Sequence, residues 1–401
     1  MKVVIFIENR RFGGMDTFVK NLINSWPLES DEFILICNKA HLGLGYLKKE
    51  ISSKVTIITH EIPLNWSFLS SFIRYLPNFI QRIFRQFFKI ILLPYQYYQL
   101  RKLLMDVAGE AIIAVNGSYP GGQTCLLSNI AWASLGRKKS IHSLHGYSIK
   151  TRSLTRIIEE NLDKKLFSSI NHCVCVSRGC LESLYQRKNI KKNKLITIPN
   201  GISRKIDDNQ KDLHELLGIR NNYFTLAMIS NYDVTKGHEF LFKSMSYVYD
   251  KYDNINLILI GTGTDDEIFN VNEQIRMYLP GRQIYQAGKL NNAFQYMSNI
   301  DLVVIPSQTN ESFGLTAAEA MLSKIAVVST NMGALQETIG PNGECGYCVS
   351  PHDSREFAEK IIYLITHDQV RKEMGERGFI RANNLFDSEV MSKTYYELLK
   401  E

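Results

Sequence analysis

Two glutamates, Glu311 and Glu319, bracket the tripeptide Phe313-Gly314-Leu315 near the end of the chain. An apolar run at 302–305 predicts a strand before them, and small residues from Gly314 onward predict a helix. The start of a helix carries N–H groups without partners and the positive end of the helix dipole, so it receives phosphate well. Carboxylates are poor phosphate ligands but suit sugar hydroxyls. The pattern therefore indicates a nucleotide-sugar site, with amides for the diphosphate and glutamates for hydroxyls.

The complete pattern from Pro306 to Ala320 is P-S-x3-E-S-F-G-L-x3-E-A. It resembles the signature of the family 4 retaining glycosyltransferases, which have the GT-B fold. The resemblance implies that Glu311 faces the donor sugar and that Glu319 holds the ribose hydroxyls. It also implies that the residues between them bind the donor, largely through backbone amides: Ser312, Phe313, Gly314, Leu315 and Thr316. The plainer alternative is a loop-capping glutamate and a solvated helix glutamate.

A second motif, Ser230 to Gly237, ends a predicted strand and opens a helix. Family members usually have Gly-Arg in place of Ser230-Asn231, followed by Lys-Gly, so Lys236 matches the family and Asn231 departs from it. A charge-assisted hydrogen bond from Lys236 to the leaving diphosphate contributes about 1.5–3 kcal/mol. Asn231 donates without a charge, and a helix dipole adds at most about 2 kcal/mol. We therefore expect weaker diphosphate binding, or a second cation from elsewhere in the chain; the alternative is that Lys236 is an ordinary surface residue.

His145 ends a predicted strand in the first half of the chain, at the place of the family's histidine that faces the donor sugar. The resemblance implies that it acts with Glu311 and Lys236 as a catalytic residue, whereas a lone histidine is more often structural. His142 lies three residues earlier and therefore points to the opposite face of a strand, so the two are not expected to bind a metal. Gly14 matches the family's early glycine pair near the donor phosphate, and a tight turn is its alternative.

Two further segments resemble parts of the family pattern. Leu290 follows a predicted strand whose end usually meets the nucleotide base, so the resemblance implies a donor contact there. The segment from Gly333 to Glu337 resembles the family's G-x-x-x-E sequence and is expected to be structural.

Short β-branched runs alternate with amphipathic segments of helix length, which is typical of parallel sheets flanked by helices. The predicted fold class is α/β, of the GT-B type, with two doubly wound Rossmann-like domains facing across a cleft. The predicted boundaries are 1–200 for an acceptor-binding domain, 201–375 for a nucleotide-sugar-binding domain, and 376–401 for helices that pack back toward the first domain. A polar hinge is predicted at 200–212.

The formal charge of +7 comes almost entirely from one segment, 62–105, which contains no Asp or Glu. Between Pro77 and Pro94 its apolar residues recur with a helical period, opposite a polar face that carries basic residues. This pattern favours an interfacial helix on anionic lipid. A core-packing helix with a basic face toward the cleft is the alternative. Nucleic acid is not expected as a partner, because the aromatic residues lie opposite the charges. The basic residues of the whole segment 62–105 are Arg74, Arg82, Arg85, Lys89, Arg101 and Lys102.

Seven cysteines in mostly apolar contexts indicate a reducing compartment without a disulfide framework. We expect no cofactor, no metal and no membrane-spanning helix. The predicted activity is metal-independent retaining transfer of a sugar from a nucleotide-diphosphate sugar to a lipid-linked glycan acceptor, in polysaccharide or lipopolysaccharide biosynthesis. The predicted location is cytoplasmic, on the inner face of the cell membrane. A nucleotide-sugar epimerase and a non-catalytic nucleotide-sugar-binding partner are the alternatives.

Overall fold

The computed structural model describes residues 1–9, 12–51, 55–64, 76–203, 211–219, 222–290 and 293–401. The side chains of Asn78, Phe79, Arg82, Arg85 and Ala293 are also outside this description. Consequently, Arg74 and most of the predicted hinge, 204–210, lie outside the described residues. The chain divides into two compact units, the first made of Met1–Gly201 with Ser388–Glu401 and the second of Ile202–Asp387.

The first unit is built on a parallel sheet of seven strands in the order β3-β2-β1-β4-β5-β6-β7. Residues of β1 alternate between two buried layers, so that Val3 and Ile5 pack on one face and Val4 and Phe6 on the other. Such strands, buried on both faces, read as continuous apolar runs. The strands are β1 (Lys2–Ile7), β2 (Glu32–Asn38), β3 (Val55–His60), β4 (Ala111–Asn116), β5 (Lys139–Leu144), β6 (His172–Cys175) and β7 (Leu195–Thr197).

Helices cover both faces of this sheet. The C-terminal helix packs against the first helix of the chain and contributes Met391 and Tyr395 to the same core layer. The described helices are α1 (Gly14–Asn24), α2 (Leu44–Glu50), α3 (Asn78–Met105), α4 (Gln123–Ser134), α5 (Arg156–Ser169), α6 (Arg178–Ser183) and α14 (Ser388–Lys400).

The second unit repeats the plan with six parallel strands in the order β10-β9-β8-β11-β12-β13. Its strands are β8 (Phe224–Ile229), β9 (Ile255–Ile260), β10 (Ile284–Gly288), β11 (Leu302–Ile305), β12 (Ala326–Thr330) and β13 (Gly346–Val349). Its helices are α7 (Leu213–Leu217), α8 (His238–Tyr249), α9 (Asp265–Tyr278), α10 (Leu315–Leu322), α11 (Leu335–Ile339), α12 (Ser354–Thr366) and α13 (Asp368–Leu385). The predicted fold class, with two doubly wound parallel-sheet units, is confirmed.

The C-terminal segment differs from the prediction in where it changes units. Residues 376–385 continue α13, which packs on α10 and α12 within the second unit. Only the part from Ser388 onward belongs to the first unit. The small residues Gly375 and Gly378 explain this packing, because a Cβ on Gly375 would lie 1.9 Å from the Lys324 carbonyl oxygen.

Within the basic segment, α3 (Asn78–Met105) is one helix that continues through Pro94. Its last part is anchored by Gln96, Leu100 and Leu104, which are all fully buried. By contrast, none of the described side chains between 80 and 95 is buried. At 28 residues the helix is about 42 Å long, about twice the length of a six-residue strand.

Apolar and aromatic side chains form an exposed stripe along α3. Six apolar or aromatic side chains along it are between 42% and 64% exposed: Ile83, Phe84, Phe87, Ile91, Tyr95 and Tyr98. Lys89, on the opposite side of the helix, is half-buried. Among the described residues, no helix is both long and apolar enough to cross a bilayer.

Candidate active site

A lysine and a glutamate meet at the carboxyl edge of the second sheet. The Lys236 Nζ atom lies 2.5 Å from Glu311 Oε1, and the Ser307 hydroxyl donates to the same oxygen at 2.8 Å. Lys236 follows β8 and Glu311 follows β11, and the strand order reverses between these two neighbouring strands. Ligands of doubly wound sheets bind at this reversal point. The site therefore presents a cation, a carboxylate and a hydroxyl where a ligand is expected.

The backbone around Glu311 is fixed by a glycine on the neighbouring loop. Gly333 forms an isolated bridge with Glu311, and the Ala334 N–H donates to the Glu311 carbonyl oxygen at 2.8 Å. Gly333 has a φ of 68°, and a Cβ there would lie 2.3 Å from that same oxygen. Only glycine fits, so the G-x-x-x-E segment has the structural role that the sequence predicted.

The loop that carries Lys236 is held equally closely. Asp233 caps a 3₁₀ turn by accepting from the Thr235 N–H at 2.9 Å, and Lys236 is the last residue of that turn. Gly237 follows with a φ of 79°, and a Cβ there would lie 1.9 Å from the Pro306 carbonyl oxygen. The Lys-Gly sequence thus brings the lysine against the loop that carries the glutamate.

The predicted phosphate-binding helix begins at Leu315, directly after Gly314, which has a φ of 86°. No hydrogen bond from the Leu315 or Thr316 N–H group is found among the described residues. These two amides are consequently available to an anion. The Phe313 ring is buried against Phe386, with ring centroids 5.1 Å apart, so its backbone alone is open to a donor.

Four other predicted donor residues lie in the same unit. The Asn231 side chain is exposed, and no hydrogen bond to it is found in the described part of the chain. Its loop packs closely against Gly261, where a Cβ would lie 1.9 Å from the Ser230 carbonyl oxygen. Leu290 follows β10 and is half-buried, and Glu319 is half-buried within α10. Ser312 is half-buried beside Glu311 in sequence.

His145 belongs to the first unit, directly after β5. Its Nε2 atom lies 2.9 Å from the Ser143 hydroxyl, which in turn lies 2.7 Å from the Tyr395 hydroxyl. The ring also packs on Phe18, with centroids 4.1 Å apart. Burial, with a smaller contribution from His142, lowers the pKa of His145 to about 3. The imidazole is therefore neutral at pH 7, which suits hydrogen bonding to a hydroxyl.

His142 is buried and hydrogen-bonded within the first unit. Its two ring nitrogens lie 2.8 Å from Asn129 Oδ1 and 3.2 Å from Asn116 Nδ2, and burial lowers its pKa to about 3. The Asn116 amide donates, so the hydrogen of the neutral ring is on Nδ1.

Gly14 is the first residue of α1 and is exposed. The preceding loop is fixed by Asp16, which accepts from the Gly13 N–H at 2.9 Å and contacts His41 Nε2 at 2.7 Å. Gly13 has extended backbone, and a Cβ there would meet nothing within 4 Å. Neither backbone conformation nor packing therefore requires glycine at position 13, and the loop leaves open space.

A buried acid at the end of β1 escaped the sequence analysis. The Glu8 carboxylate lies 2.9 Å from His60 Nε2, with both side chains 5% exposed. Neither carboxylate oxygen has an aligned hydrogen-bond donor in the described part of the chain, and burial raises the pKa of Glu8. No contiguous motif marks this pair, because Glu8 directly follows β1 whereas His60 is the last residue of β3. No group of three His, Cys, Asp or Glu side chains able to hold a metal is found among the described residues.

Known families and proteins match nearly the whole chain. Residues 12–205 match the family described as Glycosyltransferase Family 4, and residues 209–381 match the Glycosyl transferases group 1 family. The Staphylococcus aureus capsular polysaccharide biosynthesis glycosyltransferase CapM is 23% identical over 75% of this chain and 81% of its own. The N-acetyl-alpha-D-glucosaminyl L-malate synthase of Bacillus anthracis is 25% identical over 66% of this chain and 69% of its own.

The fold also matches solved structures along its full length. HepE from Anabaena, crystallised with UDP, aligns over 100% of both chains with a TM-score of 0.75 and 18% identity. That identity shows a shared fold alone. Two Rossmann-like units with these sheet orders define the GT-B class. The chain belongs to the family 4 glycosyltransferases.

Proposed function

We propose that this protein transfers a sugar from a nucleotide-diphosphate sugar to an acceptor hydroxyl, with retention of configuration and without a metal ion. The observation that carries the proposal is the contact of Lys236 and Ser307 with Glu311 at the reversal point of the second sheet. The available amides of Leu315 and Thr316 also belong to the second unit, and like Glu311 they follow β11. The UDP bound to HepE supports a nucleoside diphosphate as the donor's leaving group.

Each group has a distinct task in this reaction. Lys236 and the amides at the start of α10 bind the departing diphosphate, and they stabilise the charge that develops as its bond to the sugar breaks. Glu311 accepts a hydrogen bond from a sugar hydroxyl and so orients the ring. The acceptor oxygen attacks from the face that the diphosphate leaves, and a diphosphate oxygen takes the acceptor's proton. Neutral His145 binds a sugar hydroxyl.

The donor is tested first by thermal shift with UDP-, GDP-, ADP- and dTDP-sugars. The stabilising donor is then incubated with the protein alone and with candidate acceptors, and the anomeric configuration of each product is read by NMR. Retained configuration in a new glycosidic bond supports the proposal. Epimerised donor formed without acceptor would instead identify an epimerase, and binding without turnover across all acceptors would identify a non-catalytic partner.

Metal independence is tested by dialysis against EDTA. We expect unchanged turnover, because Lys236 and helix amides supply the positive charge that a metal would otherwise bring to the diphosphate. Activity that is lost in EDTA and restored by Mg²⁺ or Mn²⁺ would contradict this part of the proposal.

We further propose that the acceptor is a lipid-linked glycan and that the protein works peripherally at the cytoplasmic face of the membrane. The exposed apolar stripe of α3, with Phe87 61% exposed at its centre, supports a lipid surface as its occupant. The acid-free segment 62–105 supplies six positive charges, which complement anionic headgroups. The name of CapM, which refers to capsular polysaccharide biosynthesis, supports a glycan acceptor.

Liposome flotation tests the membrane proposal. We expect binding to vesicles with anionic lipid, weaker binding to neutral vesicles, and a clear loss of binding for Phe87→Ser. Phe269→Ser is the matched control, since Phe269 is 63% exposed on α9 of the second unit. Equal flotation of both variants and of the wild type, or indifference to lipid charge, would overturn the proposal.

A further inference from the structure

The first unit contains a cavity that the transfer reaction does not use. It lies between the N-terminal half of α3, the start of α4 and the first turns of α5. The empty space in and above it, including open solvent, amounts to about 500 Å³. None of the donor-binding or catalytic residues named above lines it.

Two arginines in its wall are already neutralised. The Arg187 guanidinium is fully buried and donates to both Asp163 oxygens, at 3.0 and 3.1 Å, and to Glu159 at 3.2 Å. Arg152 donates to the other Glu159 oxygen at 3.1 Å. Tyr119 and Thr155 complete the network by donating to these acids at 2.7 Å. The two acids are thus fully engaged by the two arginines.

Lys89 is the remaining cation among the described lining residues of the cavity. Its ammonium group forms no ion pair, hydrogen bond or aromatic contact with any described residue. Burial, together with nearby Arg152, lowers the pKa of Lys89, although Glu159 opposes the shift. A half-buried cation without a partner is costly, and an anionic ligand would remove that cost. Gln123 holds this position in place, because its side-chain amide donates to the Lys89 carbonyl oxygen at 2.9 Å.

The rest of the wall is apolar, with Ile90 and Leu93 from α3 facing Leu126, Ile158 and Leu162. A free inorganic anion would leave this surface without a contact, and a plain hydrocarbon would leave Lys89 unpaired. One negative charge on a hydrocarbon chain satisfies both parts of the wall. Four residues of the exposed apolar stripe lie on the same half of α3 as the cavity: Ile83, Phe84, Phe87 and Ile91.

We infer that this cavity binds an anionic amphiphile, with a phosphate group at Lys89 and hydrocarbon along Ile90, Leu93 and Leu162. The phosphate belongs either to the lipid-linked acceptor, in which case the inference rests on the proposed function, or to a membrane lipid that tethers the protein. Both sources share the same recognition chemistry.

Calorimetric titration with dodecyl phosphate tests the inference on the full chain and needs no turnover, so its failure is distinct from failure of sugar transfer. We expect dodecyl phosphate to bind more tightly than dodecanol or inorganic phosphate, and dodecyltrimethylammonium not to bind. Lys89→Met should weaken dodecyl phosphate binding roughly 10- to 100-fold, the size expected for one charge-assisted hydrogen bond. Lys89→Arg should retain most of the affinity.

Lys102→Met is the matched control, because Lys102 is exposed near the other end of α3. It should bind dodecyl phosphate like the wild type. Equal binding of dodecyl phosphate and dodecanol by the wild type would overturn the inference without any variant, as would equal affinity of wild type and Lys89→Met. A rise in acceptor KM with unchanged flotation in Lys89→Met assigns the phosphate to the acceptor. Reduced flotation with unchanged acceptor KM assigns it to a membrane lipid.

Discussion

Replacing Lys236 by methionine separates donor binding from stability. The ion pair with Glu311 is partly exposed, with 32% and 22% of the two side chains accessible, and such pairs contribute up to about 1 kcal/mol. A charge-assisted hydrogen bond to the leaving diphosphate is larger, about 1.5–3 kcal/mol, which corresponds to roughly 10- to 150-fold in affinity. We therefore expect Lys236→Met to weaken UDP binding by that factor while the free energy of unfolding falls by about 1 kcal/mol or less.

Calorimetric titration with UDP and urea unfolding measure the two quantities. Lys243→Met is the control, because Lys243 Nζ lies 2.7 Å from Glu239 on the surface of α8. It should change stability by a similar amount and leave UDP affinity unchanged. Glu311→Gln keeps the Ser307 hydrogen bond but removes the charge that competes with diphosphate for Lys236. That variant should bind UDP at least as tightly as the wild type and lose turnover.

The reasoning is refuted if Lys236→Met binds UDP like the wild type. It is also refuted if Glu311→Gln weakens UDP binding as much as Lys236→Met does. In either case the pair would be a structural contact, and the diphosphate would be held elsewhere.

Two further predictions concern a glycine and a histidine. Gly333→Ala should lower the free energy of unfolding by about 1–2 kcal/mol, because alanine disfavours the positive φ at this position. Its Cβ should also displace Glu311, so the turnover of the folded protein should fall. Gly343→Ala, with a φ of 87° and open space around it, should show the backbone cost alone; equal turnover in both variants would contradict the role of Gly333. The pKa of His142 is about 3 in the folded state and about 6.5 in the unfolded state. As the pH falls below 6.5, the unfolded state therefore binds a proton at this ring that the folded state does not. The free energy of unfolding should therefore fall by about 2 kcal/mol between pH 6.5 and 5 because of this histidine. His142→Gln should lack this part of the decrease. Unfolding can be followed by tryptophan fluorescence, since all three tryptophans precede residue 201.

The fold was predictable because parallel strands that are buried on both faces appear in the sequence as continuous apolar runs. Each β-branched run, such as the one at 302–305, became a strand near its predicted place. The meeting of Lys236 and Glu311 was predictable because they follow two adjacent strands and belong to contiguous motifs. Lys236 and Glu311 are 75 residues apart in sequence, yet the sheet order brings them together.

Other features depend on packing that a linear pattern does not contain. Pro94 lies inside α3, because the residues after it are anchored by Leu100 and Leu104, and that burial outweighs one missing N–H. The sequence pattern left open whether the apolar face of α3 meets lipid or packs in the core, and in the structure Ile83, Phe87 and Ile91 are exposed. Glu8 and His60 belong to no motif and meet only because β1 and β3 end at the same edge.

The neutral residue at position 231 leads to a gain-of-function prediction. Before a donor binds, the charge of Lys236 is already balanced by Glu311, and exposed Asn231 adds no charge. The diphosphate therefore meets helix amides and one cation that is shared with a carboxylate. Asn231→Arg should supply the missing cation and tighten UDP binding roughly 10-fold or more. Asn254→Arg is the matched control, since Asn254 is exposed directly before β9, at the opposite edge of the same sheet. Equal gains in both variants would show general electrostatic attraction, and no gain at position 231 would show that the diphosphate is held without a second cation there.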